Sequence, residues 1–339
     1  MPETARARNA TLFDVARLAG VSHQTVSRVL NDHPNVREST RARVREAVVQ
    51  LRYRPNVAAR MMVTRRSRNL GLVTTGSPDY GPSSTVLGFT SAAREAHYTV
   101  TVSTALDTDA ASLRGAVDLL LGQQVEAIVL VASRVGILSA IAGFDFDTPV
   151  LTVESSGLSP LPSVSIDQYA GAQIATEHLI GLGHRDILHL AGPADSGDAT
   201  ERLRGWRDAM ARHGLVAHPP LQGDWSPASG YRLGGEAAVS GHRFTAIFSA
   251  NDQMSLGCLR ALREHGLVVP DDVSLIGFDD IPEAEHFTPS LTTMRQDFHQ
   301  LGEDIMALVL ATLTADQPAV VTRHVPELVV RASTRAPRP

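Results

Sequence analysis

The sequence predicts an all-α helix-turn-helix head followed by an α/β body with two doubly wound parallel-sheet lobes. Three observations lead to this fold class. Short helical patterns fill residues 10–52, strand and helix patterns alternate from residue 70 onward, and that alternation occurs as two similar series. At 339 residues the chain is also too long for one ordinary core. We therefore expect a small helical domain and a larger two-lobed one.

The first helix is predicted by a capping pattern and an apolar stripe. Thr11 and Asp14 have the spacing of a capping box, and Gly20 is a typical residue just past a helix end. The residues predicted to face the core are Leu12, Val15, Ala16, Leu18 and Ala19.

The second and third helices complete the head. Ser22 is a suitable N-cap for a helix over His23–Leu30, and Ser39 for one over residues 40–51. Residues 19–22 form a short glycine-containing connection between the first two helices. Two helices joined in this way are typical of a helix-turn-helix, although an ordinary three-helix bundle is the alternative.

Charge is distributed unevenly along the chain. Residues 1–68 contain 14 arginines and 5 acidic residues, a balance of +9, whereas the remainder has a balance of −14. A basic head on an acidic body indicates a polyanionic partner for the head alone. On the second helix, His23, Gln24 and Arg28 suit base edges, since glutamine pairs with adenine and arginine with guanine. Side chains suited to phosphate contact are Thr25, Ser27, Arg41, Arg43 and Arg45.

The body is predicted from alternating strands and helices. The first series has strands at 70–75, 98–103, 127–131 and 150–153, and the second at 187–191, 216–222, 246–250 and 274–278. Helical patterns between them include 84–95, 111–121, 201–213 and 253–265. Strands separated by helices predict parallel sheets with right-handed crossovers. Ligands bind such sheets beyond the carboxyl ends of the strands, so we expect a binding cleft between the lobes.

Several classes of protein are disfavoured by the composition. No apolar run approaches the length needed to span a bilayer, and the first residues lack the apolar core of a secretory signal, so a cytoplasmic protein without a membrane partner is expected. The single cysteine, Cys258, excludes an internal disulfide, and no Cys/His spacing suggests a zinc site, so we expect neither metal nor cofactor.

Two rival functions share the predicted body. A transport-type solute-binding protein has the same two lobes but needs a signal peptide and no helix-turn-helix. An enzyme on a doubly wound fold is also conceivable. However, the sequence contains no dinucleotide-binding fingerprint, P-loop or nucleophile elbow, so we do not expect an enzyme.

An ordered set of motifs resembles the lactose/galactose repressor family of transcriptional regulators. The matching segments are residues 11–16, 19–22, 24–31, 53–56, 58–60, 182–184, 190–193, 250–254, 276–280 and 289–293. They follow the family's order along nearly the whole chain, so together they are far more specific than any single motif. The resemblance implies a periplasmic-binding-protein-like body and a repressor controlled by a small-molecule sugar.

The resemblance also implies a domain organisation. Residues 1–55 correspond to the DNA-binding domain, 56–68 to a hinge helix or linker, and 69–339 to the effector-binding and dimerisation domain. The N-lobe is expected at about 69–166 and 297–325, and the C-lobe at about 167–296 and 326–336.

The implied partner of the head is double-stranded operator DNA bound by a homodimer. The hinge is expected to fold on DNA and to insert Met62 into the minor groove. DNA-contacting positions carried over from the family are Ser22, His23, Gln24, Thr25, Ser27, Arg28, Asn31, Asn56, Ala59 and Met62. Leu256 and Phe287 match the dimer interface. The chain lacks leucine heptads at its end, so we expect a dimer and no tetramer.

The implied effector site combines hydrogen-bonding side chains with an aromatic platform. Its main positions are Arg202, Trp225, Asn251 and Asp279, with Phe298 closing the apolar wall. Further candidates are Glu154, Gln296, Tyr80 and Asp79. Taken singly, Trp225 could be a core residue, and Arg202 could pair with Asp198 or Glu201 on the surface.

A finer resemblance to lactose-responsive members of the family lies at residues 223–226 and 295–298. It points to a galactoside-like inducer that releases the operator. Corepression, in which the ligand tightens DNA binding, is the alternative. Departures from those members at Leu130, Ile166 and Asp79 leave the identity of the sugar open.

Overall fold

The computed structural model describes residues 10–30, 33–53, 66–76, 78–141, 144, 146–157, 159–314 and 322–338. The chain divides into two compact units, Met1–Ser67 and Arg68–Pro339.

Three helices build the first unit: α1 (Leu12–Ala19), α2 (His23–Leu30) and α3 (Glu38–Gln50). The capping box of α1 is present, since the Thr11 hydroxyl accepts from the Asp14 amide and the Asp14 carboxylate accepts from the Thr11 amide. Gly20 ends the helix in a left-handed conformation with φ +64°. The small core of this unit consists of Val15, Ala16, Ala19, Val26, Val29, Val44 and Ala47.

Two expectations for the first unit were wrong. Helix α3 begins at Glu38 with Arg37 as its N-cap, so Ser39 lies inside the first turn. Leu18 is 49% exposed because it lies about a quarter turn away from the arc that Val15, Ala16 and Ala19 bury against the other helices.

The first lobe of the second unit is a six-stranded, wholly parallel sheet with the order β11-β5-β4-β3-β1-β2. Its strands are β1 (Asn69–Thr74), β2 (Thr99–Thr104), β3 (Ile128–Val131), β4 (Val150–Val153), β5 (Ser163–Ile166) and β11 (Thr322–His324). The helices on its faces are α4 (Tyr80–Glu95), α5 (Ala110–Gly122), α6 (Val135–Ile141) and α11 (Phe298–Thr314).

The second lobe is a four-stranded parallel sheet with the order β7-β6-β8-β9. Its strands are β6 (Ile187–Ala191), β7 (Leu221–Gln222), β8 (Ala246–Ser249) and β9 (Ser274–Ile276). Its helices are α7 (Gln168–Gly181), α8 (Gly197–Arg212), α9 (Pro227–Val239) and α10 (Asp252–Glu264), with a short 3₁₀ helix at Ala284–His286. An antiparallel ribbon of β10 (Thr293–Arg295) and β12 (Glu327–Val329) lies beside α7.

The chain crosses between the lobes more than once. After β10 of the second lobe, α11 packs against α4 of the first lobe. Gly88 and Gly302 allow this approach, because a Cβ on Gly88 would come within 2.1 Å of the Phe298 carbonyl oxygen. The chain then adds β11 to the first sheet and returns to the second lobe with β12. Each lobe consequently contains residues distant in sequence.

Seven of the eight predicted strands were confirmed, the eighth was mostly wrong, and four observed strands, β5, β10, β11 and β12, were not predicted. The strand expected at 216–222 contains only Leu221 and Gln222. The preceding residues are Pro219 and Pro220, which cannot donate to a ladder. Strand β5 was not predicted because serines alternate with its two apolar residues, so no apolar run is visible, although all four residues are buried. Strands β10, β11 and β12 have only three residues each, which is too few to show a pattern. Within the described parts of the chain, none of the helices combines the length and apolarity that a membrane crossing requires.

Replacing Thr11 with alanine should destabilise α1 by about 1 kcal/mol, because the Asp14 amide loses its side-chain acceptor. Hydrogen–deuterium exchange of the full chain measures this, and amides of α1 should exchange about fivefold faster. Ser39→Ala is the matched control, since Ser39 is exposed and does not cap α3. Equal effects of the two substitutions on their own helices would contradict the capping role.

Candidate functional site

A cavity of about 300 Å³ lies between the two lobes of the second unit, beyond the carboxyl ends of strands from both sheets. Its position agrees with the expected location of a ligand site in parallel sheets. The lining residues are Asp79, Gly81, Pro82, Ser133, Arg134, Pro193, Asp195, Ser196, Asp198, Arg202, Asp224, Trp225, Asn251 and Asp279. Four predicted effector residues that are far apart in the sequence, Arg202, Trp225, Asn251 and Asp279, thus line one cavity.

Four buried side chains, which we call the cleft ring, form a closed hydrogen-bonded circuit, and two of them, Arg202 and Asp279, line the cavity. Arg202 Nε donates to Gln168 Oε1 at 2.8 Å, and Gln168 Nε2 donates to Gln296 Oε1 at 2.8 Å. Gln296 Nε2 donates to Asp279 Oδ1 at 2.6 Å, and Asp279 closes the circuit through an ion pair with Arg202 at 3.5 Å. Because every member is satisfied by another, the ring is held rigidly.

Arg202 is the cation at the centre of this arrangement. Its side chain is 4% exposed, and its guanidinium lies 3.9 Å from the Phe278 ring centroid and 5.3 Å from that of Trp225. A third donor bonds to the Ala250 carbonyl. Pairing with a surface carboxylate was therefore the wrong alternative for Arg202, and Glu201 pairs with Arg204 instead.

Backbone conformation and a hydrogen bond to its carbonyl fix the position of Trp225 at the cavity wall. The residue has a positive φ of 73°, and its indole lies directly over Gly192, where a Cβ would be within 2.3 Å of the ring. Asn251 Nδ2 donates to the Trp225 carbonyl at 3.1 Å, while Asn251 Oδ1 caps α10 by accepting from the Met254 amide at 2.8 Å. Asn251 thus lines the cavity mainly as the residue that fixes Trp225.

Asp279 has the most perturbed carboxyl group of the cavity wall. Burial raises its pKa to about 7; Arg202 opposes this shift, and the neighbouring Asp198 adds to it. Behind it, burial and the charge of Asp279 raise the pKa of Asp252 well above its ordinary value, although Thr293 and the Ile281 amide donate to its carboxylate. Perturbed carboxyl groups in a cleft are typical of functional sites.

The second-tier candidates differ in whether their side chains line the main cavity. Asp79 lines it, and Gln296 belongs to the cleft ring. Tyr80 packs edge-on against Phe298 with ring centroids 5.7 Å apart, and Phe298 faces a smaller adjoining cavity of about 40 Å³. Glu154 also lines that smaller cavity, where its carboxylate accepts from the Ser156 hydroxyl and the Gly157 amide. Of these candidates only Asp79 lines the main cavity, whereas Glu154, Gln296 and Phe298 line the smaller one and Tyr80 lines neither.

Several residues of the cleft were not predicted from the sequence. Gln168 completes the cleft ring, and Arg134 of the first lobe pairs with Asp195 of the second at 2.6 Å. Asp198 accepts from Ser155 across the same gap. Arg134 follows the carboxyl end of β3, and Asp198 lies in the first turn of α8 after β6. Strand-end position was thus the available signal for both.

In the first unit, α2 presents the predicted base-reading side chains to solvent. Ser22, His23, Gln24 and Arg28 are exposed, and Thr25 and Ser27 are half-buried. The Ser22 hydroxyl caps α2 by accepting from the Thr25 amide at 3.2 Å. His23 packs on exposed Phe13 with ring centroids 5.2 Å apart. The predicted contact residues Asn31, Asn56, Ala59 and Met62 lie outside the described residues.

Arg41, one of the side chains suited to phosphate contact, has a structural role in the folded domain. The Arg41 side chain is only 12% exposed, and its guanidinium donates to the carbonyls of His33 and Val36. It therefore organises the connection before α3. On the second unit, Leu256 is 45% exposed on α10, and Phe287 is half-buried against the second lobe's core.

A helix-turn-helix unit and a two-lobed unit with a central cavity, in one chain, define an effector-controlled DNA-binding regulator. The family model for bacterial regulatory proteins of the lacI family matches residues 11–56, and that for a periplasmic binding protein-like domain matches residues 176–334. The chain is 35% identical over 331 residues to the lactose operon repressor of Escherichia coli (strain K12), which covers 96% of this chain and 91% of that protein. It belongs to the bacterial regulatory proteins of the lacI family and is a DNA-binding transcriptional repressor.

One further relative and one solved structure are similar to the chain over nearly its whole length. The chain is 32% identical over 331 residues to the transcriptional repressor PurR of Vibrio campbellii (strain ATCC BAA-1116), covering 96% of this chain and 99% of that one. A crystal structure of the lac repressor dimer bound to operator and the anti-inducer ONPF is similar with a TM-score of 0.86. The two are 33% identical, with coverage of 97% of this chain and 100% of that one.

The raised pKa of Asp279 predicts a pH dependence of stability. Between its ordinary value of 3.8 and about 7, the folded chain keeps a proton that the unfolded chain releases. This carboxyl group therefore makes the free energy of unfolding fall as pH rises through that window. Asp279→Asn should remove this pH dependence, so the difference in the free energy of unfolding, variant minus parent, should rise as pH increases from about 5 to about 7, on top of a constant loss from the broken pair with Arg202. Urea denaturation of the full chain measures the difference.

Asp224→Asn is the control for this measurement. Hydrogen bonds from Ser226 lower the pKa of Asp224, which is an exposed residue of the same cavity. It is ionised in both the folded and the unfolded chain over this range, so its variant should differ from the parent by a constant amount. A constant difference for Asp279→Asn as well would show that Asp279 titrates normally.

Proposed function

We propose that this protein is a homodimeric repressor that a neutral, galactoside-like sugar releases from its operator. The observation that carries the proposal is the inter-lobe cavity, in which hydrogen-bonding side chains and the indole of Trp225 surround about 300 Å³. That volume is at the small end of ordinary ligand pockets, which suits a ligand of sugar size.

The composition of the wall supports a polyhydroxyl ligand. A sugar presents hydroxyl groups around its edge and C–H bonds on its faces. Arg202 offers donors, Asp279 and Asp198 offer acceptors, and the Trp225 indole offers an apolar face. The side chains are already fixed by the cleft ring and by the backbone around Trp225, so little ordering is required when the ligand enters.

The charge of the wall favours a neutral ligand over an anionic one. Five carboxylates line the cavity, at Asp79, Asp195, Asp198, Asp224 and Asp279, against two arginines, Arg134 and Arg202. Arg134 is paired with Asp195, and Arg202 with Asp279. A phosphorylated sugar or a carboxylic acid would meet this excess of negative charge, whereas a glycoside would not.

Release is explained as a shift between lobe arrangements. The ion pair of Arg134 with Asp195 and the bond of Ser155 to Asp198 join the lobes at the cavity. A sugar that binds one arrangement of these groups better than another shifts the population toward it. Operator affinity falls if that arrangement is the one less suited to DNA. The hinge at residues 56–68 would transmit the change to the head.

DNA reading is assigned to α2 in each copy of a dimer. One α2 in each major-groove half-site is the usual docking of a helix-turn-helix dimer on a near-palindromic operator. The exposure of His23, Gln24 and Arg28 on one helix supports this role. Exposed Leu256, together with Phe287, marks the surface proposed for the contact between copies.

Replacing Trp225 with alanine should abolish the response to sugar and leave operator binding intact, because the apolar platform is lost while α2 is unchanged. The measurement is an electrophoretic shift of the full chain on the promoter next to its gene, with galactosides, other neutral sugars and sugar phosphates. Trp225→Phe keeps an aromatic face and is the control. A parent protein whose shift no sugar alters would remove the induction proposal, and tighter binding with a sugar would indicate corepression.

Replacing Arg28 with alanine should do the reverse: sugar binding is retained and specific operator affinity falls about tenfold to a hundredfold. Arg17→Ala is the matched control, since Arg17 is an exposed arginine of α1 and removes the same charge. Both variants should lose similar affinity for scrambled DNA, but only Arg28→Ala should lose discrimination between operator and scrambled DNA. Equal discrimination in both variants would exclude base reading by Arg28.

A further inference from the structure

Three side chains outside the cleft converge on one point of the second lobe: Asp186, His218 and His242. One ligand atom from each lies within 4.8 Å of those of the other two. Among the residues that the structure describes, this is the one group of three or more His, Cys, Asp or Glu side chains arranged in this way. The sequence gives no sign of it, because the three residues are separated by 32 and 24 positions.

The distances match those between ligands of a single metal ion. Asp186 Oδ1 lies 3.2 Å from His218 Nε2 and 2.9 Å from His242 Nε2. With metal–ligand bonds of about 2.0–2.2 Å, two ligands of a tetrahedral zinc ion are about 3.3–3.6 Å apart, slightly farther than these pairs. The imidazole rings contact each other edge to face, with centroids 4.1 Å apart. Only small shifts would therefore bring all three atoms onto one ion.

The fold brings these residues together at one edge of the sheet. Asp186 directly precedes β6, His218 lies in the loop before β7, and His242 lies in the loop before β8. These strands are neighbours in the order β7-β6-β8. The Asp186 carbonyl also accepts from the Thr245 amide at 3.0 Å, and the His242 amide donates to Ser240 Oγ at 3.2 Å. The backbone of two of the three ligands is thus anchored.

The geometry points to a binding site for a divalent transition-metal ion, of which Zn²⁺ is the best match. Two imidazoles and one carboxylate are the protein ligands of a known class of zinc sites, whose fourth position is taken by water. The three side chains are between 31% and 41% exposed, so a water-filled fourth position would face solvent. An oxygen-seeking ion such as Mg²⁺ or Ca²⁺ does not suit a donor set dominated by nitrogen.

The site is separate from the effector cavity, and an ion bound there would stabilise the second lobe. It lies at the amino ends of β6 and β8, whereas Asn251 and Asp279 follow the carboxyl ends of β8 and β9. A five-residue strand spans roughly 16 Å, so the two sites are at opposite edges of one sheet. A bound ion joins three loops, and its binding energy adds to the stability of the folded lobe.

The test is a calorimetric titration of the full chain with Zn²⁺, and with Co²⁺ followed by its visible absorption. We expect one ion per chain and a rise in the unfolding temperature on addition of Zn²⁺. Asp186→Asn, His218→Asn and His242→Asn should each weaken the affinity at least about tenfold and abolish the thermal shift. Because the three side chains are partly exposed, the variants are expected to fold, and circular dichroism checks this.

His213→Asn is the matched control. His213 Nε2 lies 2.6 Å from Glu177 Oε2, so it is a partly exposed histidine–carboxylate pair of the same lobe without a second histidine. Its variant should bind Zn²⁺ like the parent. Absence of binding in the parent, or equal binding in all four variants, would overturn the proposal. Operator binding and the sugar response are measured without metal. The result of the Zn²⁺ titration is therefore independent of the tests of the proposed function.

Discussion

The buried pair of Arg202 and Asp279 is the interaction on which the second unit's cavity depends. Removing two charges from water is costly, and the cost is offset only when each group is fully hydrogen-bonded. Gln168, Gln296 and the Ala250 carbonyl provide those bonds. Loss of either charged partner would leave an uncompensated buried group, at a cost of about 3–5 kcal/mol. The cavity is therefore rigid where the ligand is expected.

The parallel-sheet architecture explains why these groups meet. Arg202 lies on α8, Asp279 follows β9, Gln168 begins α7 and Gln296 follows β10. Arg202 and Asp279 follow strands β6 and β9 of the second sheet, whereas Gln168 follows β5 of the first sheet and Gln296 follows the ribbon strand β10. The residues thus come from the carboxyl ends of strands in different sheets, where polar ligands are favoured. The opposite edge of the second sheet carries the cluster of Asp186, His218 and His242. One scaffold thus presents two chemically different surfaces at the two ends of its strands.

Local features were predictable because they depend on a few neighbouring residues. The capping box of Thr11 and Asp14, the glycine end of α1 and most strands follow from patterns within a single turn or strand. Errors arose where neighbours in space decided the outcome. Leu18 is exposed because α1 buries a different arc against the other helices. The truncation of the strand before residue 221 has a local cause instead, since Pro219 and Pro220 are visible in the sequence.

The sequence by itself determined the fold class, the two-lobed order and the residue types of the sites, because periodicity, caps and motif order are encoded along the chain. Only the tertiary structure decided which side chains contact each other. It joined Gln168 to Arg202 and paired Arg134 with Asp195 across the lobes. Such contacts link residues tens to more than a hundred positions apart, and strand order and crossovers, which no local pattern specifies, bring them together.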